Sequence, residues 1–255
     1  MKNALLTVAL LTTSFTVAAS TLSVDVRARA PEMIVEGNKV EGPIIEIIKE
    51  AAEKNGLKLK YRKRPFGGSL ELMSQGKTDM IPRTLCTSER AKMIDYLGPI
   101  GYQEKPIVFF VEKGREGTIK SVDDLKNIKV GVKAKTVYTP ELDDDRGIRK
   151  ISAPDDPNLV KMLTAGRFDA IASFDKGSTE QAFADAGITE FAIADFQFDQ
   201  YIGNYYGIRK NLDSKDALQA TLEEMVISGR VAEIYTAAGV EAPVYDESLG
   251  FAACK

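Results

Sequence analysis

Apolar positions along the chain fall into short strand-like runs separated by helical ones. Leu22 to Val26 alternates with period two, as a half-buried strand does. Behind Pro43, which suits a first helical position, Ile44, Ile45, Ile47, Ile48, Ala51 and Ala52 recur at helical spacing until Gly56 ends the run. Leu57, Leu59 and Tyr61 then alternate with lysines, predicting a strand with one wet face. Ser69 opens a short helix that stops at Gly76, and Asp79 to Pro82 is an apolar strand. Ile107 to Val111 is apolar throughout, the pattern of a strand covered on both faces. Ser121 with Asp124 marks a helix start, Ile128 to Val132 a strand, and Asp156 with Pro157 a helix that ends at Gly166. The helix from Asp213 to Gly229 carries Leu218, Leu222, Met225 and Val226 on one face, which should pack on the first half, and the tail after Gly239 reads as loop. Strand after helix after strand predicts an α/β fold whose sheets are mainly parallel and flanked by helices.

One pattern recurs. Leu72-Met73-Ser74-Gln75-Gly76-Lys77-Thr78-Asp79-Met80-Ile81 is matched ninety positions later by Met162-Leu163-Thr164-Ala165-Gly166-Arg167-Phe168-Asp169-Ala170-Ile171. Each copy is a helix end, a glycine in a left-handed cap, a basic residue, an aspartate and an apolar strand. Two similar lobes are expected.

The N-terminus changes the picture. Residues 1–19 begin with Lys2, continue with an apolar run from Ala4 to Ala19 and end on Val17, Ala18 and Ala19, the profile of a cleavable secretory signal peptide. The run is shorter than the roughly 20 residues of a spanning helix, and no cysteine at the cleavage point suggests a lipid anchor. A soluble protein outside the cytoplasmic membrane, in a periplasm, is expected. The full chain of 255 residues has a net charge of -3; removal of Lys2 with the signal makes it more negative by one. An acidic chain, pI about 5.3, argues against nucleic acid as a partner. With no histidine, Ser-His-Asp and Cys-His catalysis and HExxH zinc sites are impossible. Two cysteines cannot build a thiolate metal site alone, and Asp143, Asp144 and Asp145 lack the spacing of a calcium loop, so neither metal nor cofactor is expected. An oxidising compartment permits a Cys86 to Cys254 bridge from the far C-terminus to the first half, with two free thiols as the alternative.

The series formed by GPIIEIIKEAAEKNGLKLKY (42–61), SLELMSQGKTDMIPRTLCTSERAKMIDYLGPIGY (69–102), SVDDLKNIKVGVKAKTVY (121–138), LVKMLTAGRFDAIAS (159–173) and NYYGIRKN with EEMVISGRVAEIY (204–211, 223–235) resembles the extracellular solute-binding proteins of family 3. These are receptors for polar amino acids that feed ABC importers. The resemblance covers essentially the whole mature chain. It implies a type II periplasmic-binding fold: lobe 1 from 20–102 plus 207–255, lobe 2 from 103–206, and crossovers near Tyr102 to Pro106 and Ile202 to Tyr206. A small ligand would lie in the cleft, with closure by hinge motion.

The resemblance also implies site residues. Arg90, in Thr87-Ser88-Glu89-Arg90, matches the arginine that grips the ligand carboxylate through a planar fork. Thr84 falls on the loop that supplies hydroxyl and backbone contacts, and Phe66 matches an aromatic wall. Lys133 and Thr136, with Tyr138 beside them, match the lobe 2 turn that closes from the other side. The family usually places an ammonium-binding aspartate where this chain has Phe174, with Asp175 one place late. Arg29 falls near a position that is commonly aromatic, and Arg83 is a further departure. If Arg29, Arg83 and Arg90 all face the cleft, a ligand with more than one acidic group is expected, such as an acidic amino acid or a dicarboxylate; the alternative is that Glu32 or other protein carboxylates pair with them.

The leading expectation is a monomeric, non-enzymatic binding protein that delivers its small-molecule ligand to the membrane permease of an ABC importer. One alternative is a dehydratase-like enzyme on the same scaffold, using Glu32, Asp175 or Glu180 as general acid. The other is a sensor protein that presents its ligand-bound form to a membrane receptor.

Overall fold

The computed structural model describes residues 20–251 and Cys254; the expected signal peptide lies outside them. In chain order the elements begin with strands β1 (Thr21–Val26), β2 (Ile34–Glu36) and β3 (Lys39–Glu41), helix α1 (Pro43–Lys54), β4 (Lys58–Lys63), α2 (Phe66–Ser74), β5 (Met80–Pro82), α3 (Ser88–Met93) and β6 (Asp95–Leu97). Then come β7 (Tyr102–Glu104), β8 (Ile107–Glu112), β9 (Lys129–Lys133), α4 (Pro140–Asp143), β10 (Arg149–Ala153), α5 (Asp156–Thr164), β11 (Ala170–Ser173), α6 (Lys176–Asp185) and β12 (Phe191–Phe198). The chain finishes with β13 (Tyr201–Gly203), β14 (Tyr206–Ile208), α7 (Lys215–Ile227) and α8 (Arg230–Ala237).

Two five-stranded sheets share one plan. The first runs β4-β1-β5-β14-β6 and the second β10-β9-β11-β8-β12. In each, three strands are parallel neighbours and the fourth is antiparallel to both strands beside it. The reversed strands, β14 and β8, each follow directly on a crossing between the sheets. A strand entered from the other sheet arrives from the opposite end, which is why alternation of strands and helices alone cannot reveal it. The crossings themselves, β7 and β13, pair with each other in a two-stranded antiparallel ribbon, Tyr102 opposite Gly203 and Glu104 opposite Tyr201.

The recurring sequence pattern occupies equivalent places in this plan, since its two strands, β5 and β11, are the central strands. Gly76 (φ 69°) and Gly166 (φ 65°) end α2 and α5 in the left-handed region, and the Lys77 and Arg167 amides return to the Leu72 and Met162 carbonyls at 2.8 and 3.0 Å. The repeated aspartates do the same work. The Asp79 carboxylate accepts from the Ser23 amide at 2.8 Å and that of Asp169 from the Lys129 amide at 2.9 Å, so each pins the neighbouring strand, β1 or β9.

Packing follows the pleat. Ile107, Phe109 and Val111 of β8 face one core with Leu125, Val130 and Leu142, whereas Val108 and Phe110 face the other with Leu159, Leu163 and Phe183. Burial on both faces accounts for the unbroken apolar run. Leu218, Leu222 and Met225 of α7 join α1 on the first sheet, as their spacing predicts. The α2 helix starts at Phe66 and not at Ser69, because Pro65 holds an extended backbone and fixes the entry. The C-terminal tail is held as well as looped: the Tyr102 and Val244 backbones exchange hydrogen bonds at 2.7 and 2.8 Å, and Cys86 and Cys254 are disulfide-bonded.

Candidate functional site

The carboxyl ends of β1, β5, β9 and β11 bring their following loops together, the place where open α/β sheets collect ligands. Between the two sheets they line a cleft of about 700 Å³ of open space. All nine residues singled out from the sequence lie along it. Arg29 follows β1, Phe66 opens α2, and Arg83 and Thr84 follow β5. Arg90 sits on α3, whose N-cap Thr87 accepts from the Arg90 amide at 3.2 Å. From the second sheet come Lys133 at the end of β9, Thr136 and Tyr138 on the next turn, and Asp175 just before α6.

Phe66 and two guanidinium groups form one wall of the cleft. Arg27 and Arg90 both lie over the Phe66 ring, 4.7 and 5.0 Å from its centroid. Arg90 is held from both sides: Nη1 donates to the Leu85 carbonyl at 3.0 Å and Nη2 to the Lys135 carbonyl, across the cleft, at 2.9 Å. Arg27 donates to the carbonyls of Pro82 and Arg83 at 3.2 and 2.9 Å. Neither has a carboxylate partner among the described residues. Burial lowers the pKa of Arg90, and burial followed by the nearby Arg29 charge brings Arg27 down to about 9.

Behind this wall the charges are paired. Glu32 receives Arg83 Nε at 3.0 Å and Arg29 Nε at 3.3 Å, and Arg29 Nη1 reaches Asp175 at 3.0 Å. The Arg83 Nη2 remains a buried donor without an acceptor among the described residues. Across the cleft, Lys133 Nζ meets Asp156, which also accepts from Ser178 at 2.8 Å and Thr179 at 3.3 Å. The Tyr138 hydroxyl accepts from the Lys133 amide at 2.8 Å, and burial raises its pKa. Thr84 donates to the Ile81 carbonyl at 2.8 Å. Gly207 lies so close that a Cβ there would come within 3.0 Å of the Thr84 side chain.

Arg29 and Arg83 thus have protein carboxylate partners, in Glu32 and Asp175. Glu180, offered as an alternative general acid, does not line the cleft: it lies in the second turn of α6, partly exposed and paired with Lys176 at 3.7 Å. Sequence reasoning did not single out Arg27 or Asp156 as cleft residues. Period-two alternation through Arg27-Ala28-Arg29 was a usable signal for the first; Asp156 looked like a helix start and nothing more. Tyr205, expected at the second crossing, lines the cleft, whereas Tyr206 is fully buried in the first core.

Glu32 gives the fold a measurable acid limb. Burial alone would raise its pKa, but Arg83 and then Arg29 outweigh that and hold it at about 2. A depressed folded-state pKa contributes stability above the unfolded value, near 4.5, and loses it as pH falls toward 2. Chemical denaturation between pH 6 and 2 should show Glu32→Gln losing the part of the acid dependence worth on the order of 3 kcal/mol. Parallel profiles for the variant and the parent would contradict this account.

Two α/β layers joined by a paired double crossing, with a charged cleft between them, have the architecture of type II periplasmic-binding proteins. The chain belongs to the bacterial extracellular solute-binding proteins, family 3, whose model matches residues 22–239. It is 32% identical over 155 residues to the L-cystine-binding protein TcyJ of Escherichia coli (strain K12), a stretch covering 59% of this chain and 58% of that protein; the match thus spans little more than half of the relative. The arginine-binding extracellular protein ArtP of Bacillus subtilis (strain 168) is 24% identical over 203 residues, 78% of each chain. Among solved structures, an ancestral arginine-binding protein bound to glutamine superposes with a TM-score of 0.72 at 25% identity, covering 86% of this chain and 98% of that one. Among the described residues no helix is long and apolar enough to cross a membrane.

Proposed function

We propose that this protein is a periplasmic receptor that encloses a small ligand carrying more than one acidic group, a dicarboxylate or an acidic amino acid. It closes lobe 2 (103–206) on lobe 1 (20–102 plus 207–255) about the β7 and β13 ribbon, and hands the ligand to the permease of an ABC importer. The carrying observation is charge. Arg27, Arg29, Arg83, Arg90 and Lys133 line or back the cleft against Glu32, Asp156 and Asp175. Positive charge is in excess: Arg27 and Arg90 have no carboxylate partner among the described residues, and Lys105 adds a further cation close to Glu32 and Asp175. Guanidinium groups withdrawn from water are costly without an anion, and two ligand carboxylates would give Arg27 and Arg90 one each.

The names of the relatives mention cystine and arginine. Arginine would add a cation to a cleft already in surplus. Cystine would bring two carboxylates but also two ammonium groups. Calorimetry against succinate, glutarate, aspartate, glutamate, cystine, glutamine and arginine tests the reading. Tight binding confined to ligands with two acidic groups and net negative charge is expected, and tight binding of a neutral or cationic ligand alone would overturn it.

Binding without reaction fits the same geometry. A general acid must hold its proton at the working pH, and Glu32, at about 2, does not. Asp175 is engaged with Arg29, and Glu180 is outside the cleft.

A further inference from the structure

Every carboxylate of the cleft, among the described residues, already holds a cation of the protein. Glu32 takes Arg83 and Arg29; Asp175 takes Arg29; Asp156 takes Lys133. Asp156 is further filled by the Ser178 and Thr179 hydroxyls. All three carboxylates are buried. An ammonium group entering this cleft would therefore meet only carboxylates whose charge a protein cation already balances, and beside Asp175 it would stand against the Arg29 guanidinium. Among the described residues, by contrast, Arg27 and Arg90 have donors aimed at carbonyls but no carboxylate, and Arg83 keeps one buried Nη2 donor without a protein acceptor. The cleft needs acceptors from its ligand and offers a cationic group only carboxylates that are already neutralised.

We propose that Arg29 is a specificity-determining residue that takes, from within the protein, the position a ligand ammonium would need beside Asp175, so that the receptor selects an organic diacid without an amino group. This rests on the diacid reading above and narrows it. Arg29 belongs to the first sheet's loops and Asp175 to the second's, so their 3.0 Å ion pair also bridges the cleft. A ligand ammonium would have to share Asp175 with Arg29 and bear the repulsion of its guanidinium. A diacid leaves the bridge intact and adds its two carboxylates to Arg27, Arg90 and the spare Arg83 donor.

Glutarate and glutamate isolate the amino group, since they share one carbon skeleton and both terminal carboxylates. Calorimetry on the full mature protein at pH 7 should find glutarate bound at least about tenfold more tightly, the cost of burying an unmatched charged donor. The Arg29→Gln variant frees Asp175 while Arg83 still holds Glu32, and the glutarate preference should shrink or reverse. Its thermal midpoint checks folding; should the variant be unfolded, Asp175→Asn, which removes the charged acceptor and leaves Arg29 with Glu32, must then preserve the preference for glutarate. Glutamate binding as tightly as glutarate overturns the proposal while leaving the diacid reading standing. Failure of both against a tight neutral or cationic amino acid overturns the diacid reading itself.

Discussion

Replacing Arg90 with alanine should weaken ligand binding by about a hundredfold or more, the largest single-residue effect in the cleft, because it removes a nearly buried guanidinium that has no carboxylate partner of its own. Three contacts place that group before any ligand arrives: the Leu85 carbonyl, the Lys135 carbonyl across the cleft, and the Phe66 ring. A guanidinium fixed in this way loses little freedom when it forks onto a carboxylate. Arg90→Lys keeps the charge and loses the fork, so it should recover only part of the affinity. Calorimetry with the tightest ligand of the panel reads both, with circular dichroism confirming that α3 and the sheets persist. A loss below threefold in a folded Arg90→Ala protein would remove Arg90 from the site. The Leu85 and Lys135 carbonyls both lose a donor in Arg90→Ala, and a drop in thermal midpoint of a few degrees is compatible with that alone.

The contrast between Arg90 and Arg29 shows what the chain reveals before it folds. Local signals were legible: Pro43, the glycines at 76 and 166, and the apolar spacing of α1 and α7 all correspond to observed starts, ends and buried faces. The Leu72 to Ile81 pattern and its copy even marked the central strand of each sheet, because helix end, glycine and strand are contiguous in sequence. Direction and partnership were not legible. The reversal of β8 and β14 depends on where the chain comes from, which is a property of the crossings. Arg29 is three residues from Glu32 but 146 from Asp175, and no local periodicity could say that one guanidinium would serve both. Arg27 escaped notice for a related reason: what makes it a cleft residue is Phe66, thirty-nine positions away. Site residues on strand ends can be expected from sequence, but the ledger of which charges are already spent belongs to the fold.

Removing the disulfide with Cys86→Ser and Cys254→Ser together should lower stability by about 3–5 kcal/mol, through the entropy of an unfolded chain no longer closed across a long loop. The bridge joins positions 168 residues apart. For a chain of this size the loss corresponds to a fall in thermal midpoint of roughly 10 °C. Using both substitutions leaves no free thiol to form mixed disulfides. The tail has other attachments, the paired Tyr102 and Val244 backbones and the Tyr102 hydroxyl donating to the Gly250 carbonyl at 3.1 Å, so the native contacts there should survive and the change should fall on the unfolded state. A second consequence is local. Cys86 adjoins Leu85, whose carbonyl receives both Arg90 Nη1 and, at 3.2 Å, the Tyr96 hydroxyl. Freed from Cys254, this loop holds Arg90 less firmly, and ligand affinity should fall severalfold, far less than in Arg90→Ala. Differential scanning calorimetry and ligand titration of the oxidised parent and the double variant separate the two effects. An unchanged midpoint would mean that the tail's hydrogen bonds, and not the bridge, fasten the C-terminus; two reactive thiols in the denatured, unreduced parent would show that the bridge does not form.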